Sequence, residues 1–141
     1  MFDRHGTQRL TAWKEFRDSL ETSNTPLEDV AILWSQAPFV SPYLNPETPL
    51  EWPDPWHLVL DLRLDDLAIA LGMLYTIKLT QRFKDAACEI HTSMSQNDKH
   101  PRYCLVVDNK SVLNLDYRCV VDINSLQEAK TRLIWSKFDP L

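Results

Sequence analysis

The sequence predicts a single α+β domain spanning residues 1–141, and three observations point there. Apolar residues recur at helical spacing through the first third of the chain, a nearly all-apolar stretch follows at 64–80, and short strand-like runs with tight turns fill the remainder. Helices first and an antiparallel sheet after them is the α+β order. The expected layout is an N-terminal helical pair (7–37), a proline-rich strap (38–55) and a central buried helix packed on an antiparallel sheet of three or four strands (56–123). A short C-terminal helix and tail (124–141) completes it.

Leu10, Trp13, Phe16 and Leu20 define one helical face, so residues 7–21 should form the first helix. Thr25-Pro26-Leu27-Glu28 marks the next start: Thr25 caps, Pro26 takes the first helical position and Glu28 completes a capping box. That helix turns Leu27, Val30, Ala31 and Trp34 inward and ends before Pro38. Six of the nine prolines fall in 38–55, which precludes regular structure because proline lacks a backbone donor and fixes φ. Phe39, Tyr43, Leu44 and Trp52 in that strap suggest that it lies along the body of the domain.

Asp54-Pro55 starts a short helix ending near Asp61, and a second runs from Leu64 to Thr80. The latter is apolar almost all round, the mark of a central helix. Gly72 within it implies a close approach by a neighbour. Residues 88–92 and 103–107 read as strands, and Asp108-Asn109-Lys110 is a tight turn into 111–115, making a hairpin over 102–116. Tyr117–Ile123 reads as a further strand. Asn124 or Ser125, each with Gln127 or Glu128 three residues on, marks the start of the last helix.

Composition narrows the function classes. Forty-four per cent hydrophobic and 25% charged residues are ordinary globular values. A net charge of −5 without a concentrated basic face argues against nucleic acid; Lys130, Arg132 and Lys137 fit a solvated face. No apolar run approaches the roughly 20 residues of a membrane span, and no signal sequence is visible, so the expected setting is the cytoplasm or a particle assembled there. Three cysteines at spacings of 16 and 15 fit reduced thiols, and no ligand spacing suggests a metal or another cofactor.

Trp52, Pro55, Leu58, Asp65, Asp66, Ala68, Ala70 and Leu71, followed by the hairpin, form a pattern of wider occurrence. A proline-led short helix, a turn, an acidic helix start, a buried helix and a hairpin together resemble the transglutaminase-like cysteine peptidases of the papain-like fold. That group reads W-x-x-P-x-E-x-L, a glycine-rich turn, then G-D-C-D-D-x-A-x-A and a helix ending in L-G. The resemblance covers residues 50–120, with no counterpart for the first fifty.

It implies a catalytic cysteine at the start of the central helix, a histidine opening the next strand and an Asp or Asn on the hairpin. This chain carries Leu64, Tyr103 and Asn114 at those places, and Leu62-Arg63 for the glycine-rich turn. The resemblance therefore implies a degenerate site and an inactive relative. Its function would be interaction or assembly, with a protein partner or further copies of itself, and neither nucleic acid nor membrane.

The compact, Trp-rich and glycine-poor make-up also resembles small proteins of tailed phages, which suggests a virion or host-interaction role. The alternative is a thiol hydrolase, peptidase or amidase, using Cys104 with His100 or His91 as base. The Asp65-Asp66 pair is expected to cap its helix, favoured there by the helix dipole. Trp52, Trp56 and Trp135 are the interface candidates, because Trp13 and Trp34 fall on core faces.

Overall fold

The computed structural model describes residues 1–38, 44–94, 102–115, 118–126 and 130–135, with the backbone alone at 93–94, 125–126 and 130–135. Four helices precede the sheet: α1 (Thr7–Leu20), α2 (Pro26–Trp34), α3 (Pro55–Asp61) and α4 (Asp66–Lys78). The strands are β1 (Cys88–Met94), β2 (Arg102–Val107), β3 (Ser111–Leu113), β4 (Val121–Asp122) and β5 (Lys130–Trp135). They lie in the order β4-β3-β2-β1-β5, every neighbouring pair antiparallel.

Helix α4 is the centre, as its all-round apolar character requires. Every residue from Leu67 to Ile77 except Ile69 is buried. It packs on β2 and β1 on one side and on α2 and α3 on the other. Gly72 makes this possible: a Cβ there would overlap the ring of Trp34, which is buried to 1% exposure. The indole N–H groups of Trp13 and Trp34 both donate to Thr76 Oγ1 at 3.0 Å, and that hydroxyl donates to the Gly72 carbonyl at 2.7 Å. One hydroxyl thus satisfies two buried tryptophans, whose polar atoms would otherwise be costly to bury.

The described part of the strap, residues 44–55, lies on the body. Leu44 and Trp52 pack against the core, and the Trp52 indole donates to the Asn45 carbonyl at 2.9 Å. A 3-10 turn, Pro49–Glu51, interrupts it. Phe39 and Tyr43 lie outside the described residues.

Four local readings need correction. Thr25 makes no side-chain cap to the helix backbone; Asp29, not Glu28, closes the turn, accepting from Ser23 Oγ at 2.6 Å and Thr25 Oγ1 at 3.0 Å. Helix α4 begins at Asp66 with Asp65 as its cap, so Leu64 precedes the helix instead of opening it. Of the strand expected at 117–123, only Val121–Asp122 pairs, and Tyr117 lies outside the described residues.

The largest correction is at the C-terminus. The expected helix is a 3-10 turn, Ile123–Leu126, followed by strand β5, which makes the sheet five-stranded. The helix reading rested on cap signals at 124–128, whereas Thr131, Ile134 and Trp135 favour extended chain. Pairing with β1 also covers a row of backbone donors and acceptors that would otherwise be an open edge.

Candidate functional site

The three positions that the sequence pattern groups into a site are carried by neighbouring elements. Leu64 is fully buried immediately before the α4 cap. Asp66, two residues on, reaches across to the sheet: its Oδ2 accepts from the Tyr103 N–H at 2.7 Å, and its Oδ1 from Asn114 Nδ2 at 3.2 Å. Asn114 Nδ2 also donates to the Tyr103 carbonyl at 2.8 Å. The start of α4, the start of β2 and the end of β3 are therefore tied into one knot around a single carboxylate.

Local conformation explains the residue types. Asn114 takes φ +64, in the left-handed region that asparagine tolerates better than most residues. Leu62 takes φ +50 in the turn between α3 and α4, a conformation usually left to glycine. The chain thus keeps the backbone of a glycine turn with a leucine in it, at a cost of about 1–2 kcal/mol.

The two aspartates divide their work. Asp65 caps α4, with Oδ1 accepting from the Ala68 N–H at 2.8 Å, and holds the strap through Oδ2 and the Leu44 N–H at 3.1 Å. Asp66 does not cap; it bridges to the sheet. Burial raises its carboxyl above the usual value of 3.8, opposed by the Tyr103 N–H, the Arg102 charge and the Asn114 amide. Spacing alone implies that both carboxylates cap, and it does not reveal this bridge. The available signal was an acidic pair at a helix start together with a hairpin asparagine. As chemistry, the knot holds a carboxylate, an amide and an aliphatic side chain, with neither a thiol nor an imidazole at the three positions.

Cys104 lies elsewhere. Along β2, Tyr103, Leu105 and Val107 face the main core, whereas Cys104 and Val106 pack with Val112 in a second cluster. Alternation along the strand places that cluster on the sheet face away from α4. The Cys104 thiol is 1% exposed, and burial pushes its pKa up to about 11, with the Asp66 charge adding to the rise and Arg102 opposing it.

His91 is the direct cross-strand partner of Cys104, so the two side chains share that face. Its Nε2 lies 3.3 Å from Glu89 Oε1, and its buried Nδ1 has no hydrogen-bond partner among the described residues. His100 lies outside the described residues. Cys88 belongs to the main core, with a thiol pushed by burial to about 11, and Cys119 is exposed.

The interface candidates separate as well. Trp52 is half-buried against the core, Trp56 is 45% exposed on α3, and Trp135 is described only as backbone in β5. Among the described residues, no group of three or more His, Cys, Asp or Glu is arranged to hold a metal ion. No helix among them is long and apolar enough to cross a membrane.

No protein-family model and no curated protein matches the sequence. Among solved structures, calcium-bound LapG of Legionella pneumophila is similar in fold, with a TM-score of 0.70 at 17% identity. The likeness covers 92% of this chain and 75% of LapG. It therefore takes in most of the N-terminal helices, for which the sequence motif offered no counterpart. At this identity the likeness speaks to architecture, and the architecture is transglutaminase-like.

Proposed function

We propose that this chain is a non-catalytic interaction or assembly protein built on a transglutaminase-like scaffold. One observation carries the reading: the residue preceding the α4 cap, where the fold's peptidases hold a cysteine, is the fully buried Leu64. A leucine neither ionises nor attacks, and the helix-start dipole that would favour a thiolate has none to act on. Tyr103 and Asn114, at the places of the histidine and its orienting residue, are engaged with Asp66. What remains is a rigid junction. The calcium in the description of LapG is not carried over to this chain, whose described residues supply no metal-binding group. A virion or host-interaction setting rests on the make-up of the sequence alone.

A second reading, a thiol hydrolase using Cys104, draws on the His91–Cys104 pairing across β1 and β2, with Glu89 beside the imidazole. Burial weighs against it, since a thiol held near 11 is almost wholly protonated at neutral pH. The two readings separate by labelling with a haloacetamide probe near neutral pH. Because Cys119 is exposed, the experiment uses the Cys119→Ser variant. The expected result is slow modification of the folded protein; rapid, single-site labelling of Cys104 would overturn the non-catalytic reading.

A further inference from the structure

Helices α1 and α3 pack side by side, and their seam carries an unusual arrangement. Arg17 stacks over the Trp13 ring, 4.4 Å from its centroid, and lies 5.5 Å from that of Trp56. The two indoles meet edge to face at 5.6 Å. Trp13 is fully buried, whereas Trp56 is 45% exposed and Leu60, one turn along α3, is 37% exposed.

We propose that this seam docks a carboxylate-bearing protein segment, an Asp or Glu next to an apolar side chain. Arg17 receives the carboxylate, and Trp56 and Leu60 take the apolar neighbour. The inference rests on the interaction reading above and names its surface and partner class.

Charge complementarity selects this occupant. The Arg17 guanidinium has no hydrogen-bonded acceptor among the described residues, and its Nε is buried without one. The adjacent carboxylate, Asp18, is engaged with Lys14 at 3.1 Å. Burial lowers the guanidinium below its ordinary value, only partly offset by the charge of Asp18, so a carboxylate arriving there adds the directly bonded counter-charge that Asp18, paired with Lys14, does not provide. Stacking on Trp13 holds the fork in place before binding, which reduces the ordering cost of a bidentate contact. The same cation already covers the indole faces and repels a basic segment. Exposed Trp beside Arg is also the composition of interface hot spots.

The test is selection from a random peptide display library on the full-length protein, followed by affinity measurements with the enriched peptides. The expected result is enrichment of Asp or Glu beside Leu, Phe or Trp. Binding should fall roughly tenfold or more in Arg17→Gln and in Trp56→Ala. Circular dichroism checks folding, and Leu60→Ser, on the exposed side of α3, replaces any variant that does not fold.

Enriched peptides without acidic residues, or bound equally by the variants, would overturn the surface while leaving the interaction reading standing. So would a failure to enrich any peptide while Cys104 stays unlabelled. A failure to enrich together with rapid Cys104 labelling would overturn both. Sedimentation showing a dimer that Trp56→Ala dissociates would replace the peptide with a second copy of this chain.

Discussion

Helices α3 and α4 start alike in sequence and unlike in space. Both open on an aspartate whose carboxylate accepts from a backbone N–H three residues on, Asp54 from His57 at 2.9 Å and Asp65 from Ala68 at 2.8 Å. At α3 the cap is in water: Asp54 and His57 are half or more exposed and pair at 2.7 Å. At α4 the cap is buried, holds the strap with its second oxygen, and is followed by a carboxylate that ties two strands to the helix. The difference teaches that cap chemistry is local, whereas its energetic weight is set by what else reaches the same oxygens.

Mutation of the caps should expose that asymmetry. The largest effect is expected for Asp65→Ala, which strands the Ala68 and Leu44 donors together and should cost about 2–3 kcal/mol in urea unfolding. Asp66→Ala should follow at about 2 kcal/mol, leaving the Tyr103 N–H without its acceptor. A loss below about 0.5 kcal/mol at either residue would contradict the buried, multiply bonded geometry. Asp54→Ala should cost about 1 kcal/mol or less, the ordinary worth of an exposed cap. An equal loss at Asp54 and Asp65 would remove the contrast.

The two starts should also respond to pH over different ranges. Hydrogen bonding to Asp54, reinforced by its charge, raises the His57 pKa above 6.5; that stabilisation is complete below 6.5 and is lost as pH rises through the raised value. Burial tends to raise Asp54, but the bonds and charge of His57 outweigh it, and the net shift is below 3.8. Its contribution is present above 3.8 and lost as pH falls through the lowered value. The pair therefore supports α3 in the mildly acidic window between 3.8 and 6.5.

Asp66 runs opposite to Asp54. Its raised pKa means that ionisation penalises the folded state, so this contribution falls as pH climbs from 3.8 through the raised value. Unfolding titrations of His57→Gln and Asp66→Asn should show the smallest effects of the series. His57→Gln should flatten the loss of stability as pH rises above 6.5. Asp66→Asn should gain on the wild type as pH rises above 3.8. A change over the same pH range in both variants would show that the burial difference does not reach the titrations.

Much of the fold is legible where a single periodicity dominates. The α1 face, the Asp54-Pro55 start and the β2–β3 hairpin with its left-handed Asp108 and Asn109 all follow from nearby residues. The C-terminus is not legible, because cap-like residues at 124–128 compete with a strand whose stabilisation comes from β1, some forty residues earlier. The site is legible by position: the pattern names Leu64, Tyr103 and Asn114, and these lie on elements joined through Asp66. By short-range spacing that joining carboxylate reads as a second cap, since nothing local tells a cap from a cross-element acceptor. For Cys104 the strand period gives the face, but only the pairing register supplies His91 as its neighbour.

By itself, then, the sequence determines the order of elements, the aspartates that begin α3 and α4, and the leucine before the α4 cap. These are matters of residue type and short-range spacing, which the chain carries wherever it lies. Tertiary structure alone decides that one start is buried and the other exposed, that Asp66 binds the sheet, that residues 130–135 form an edge strand, and that Arg17 lies over two tryptophans. Each depends on which distant segment arrives to satisfy, or leave unsatisfied, a polar group, and short-range spacing does not encode that arrival.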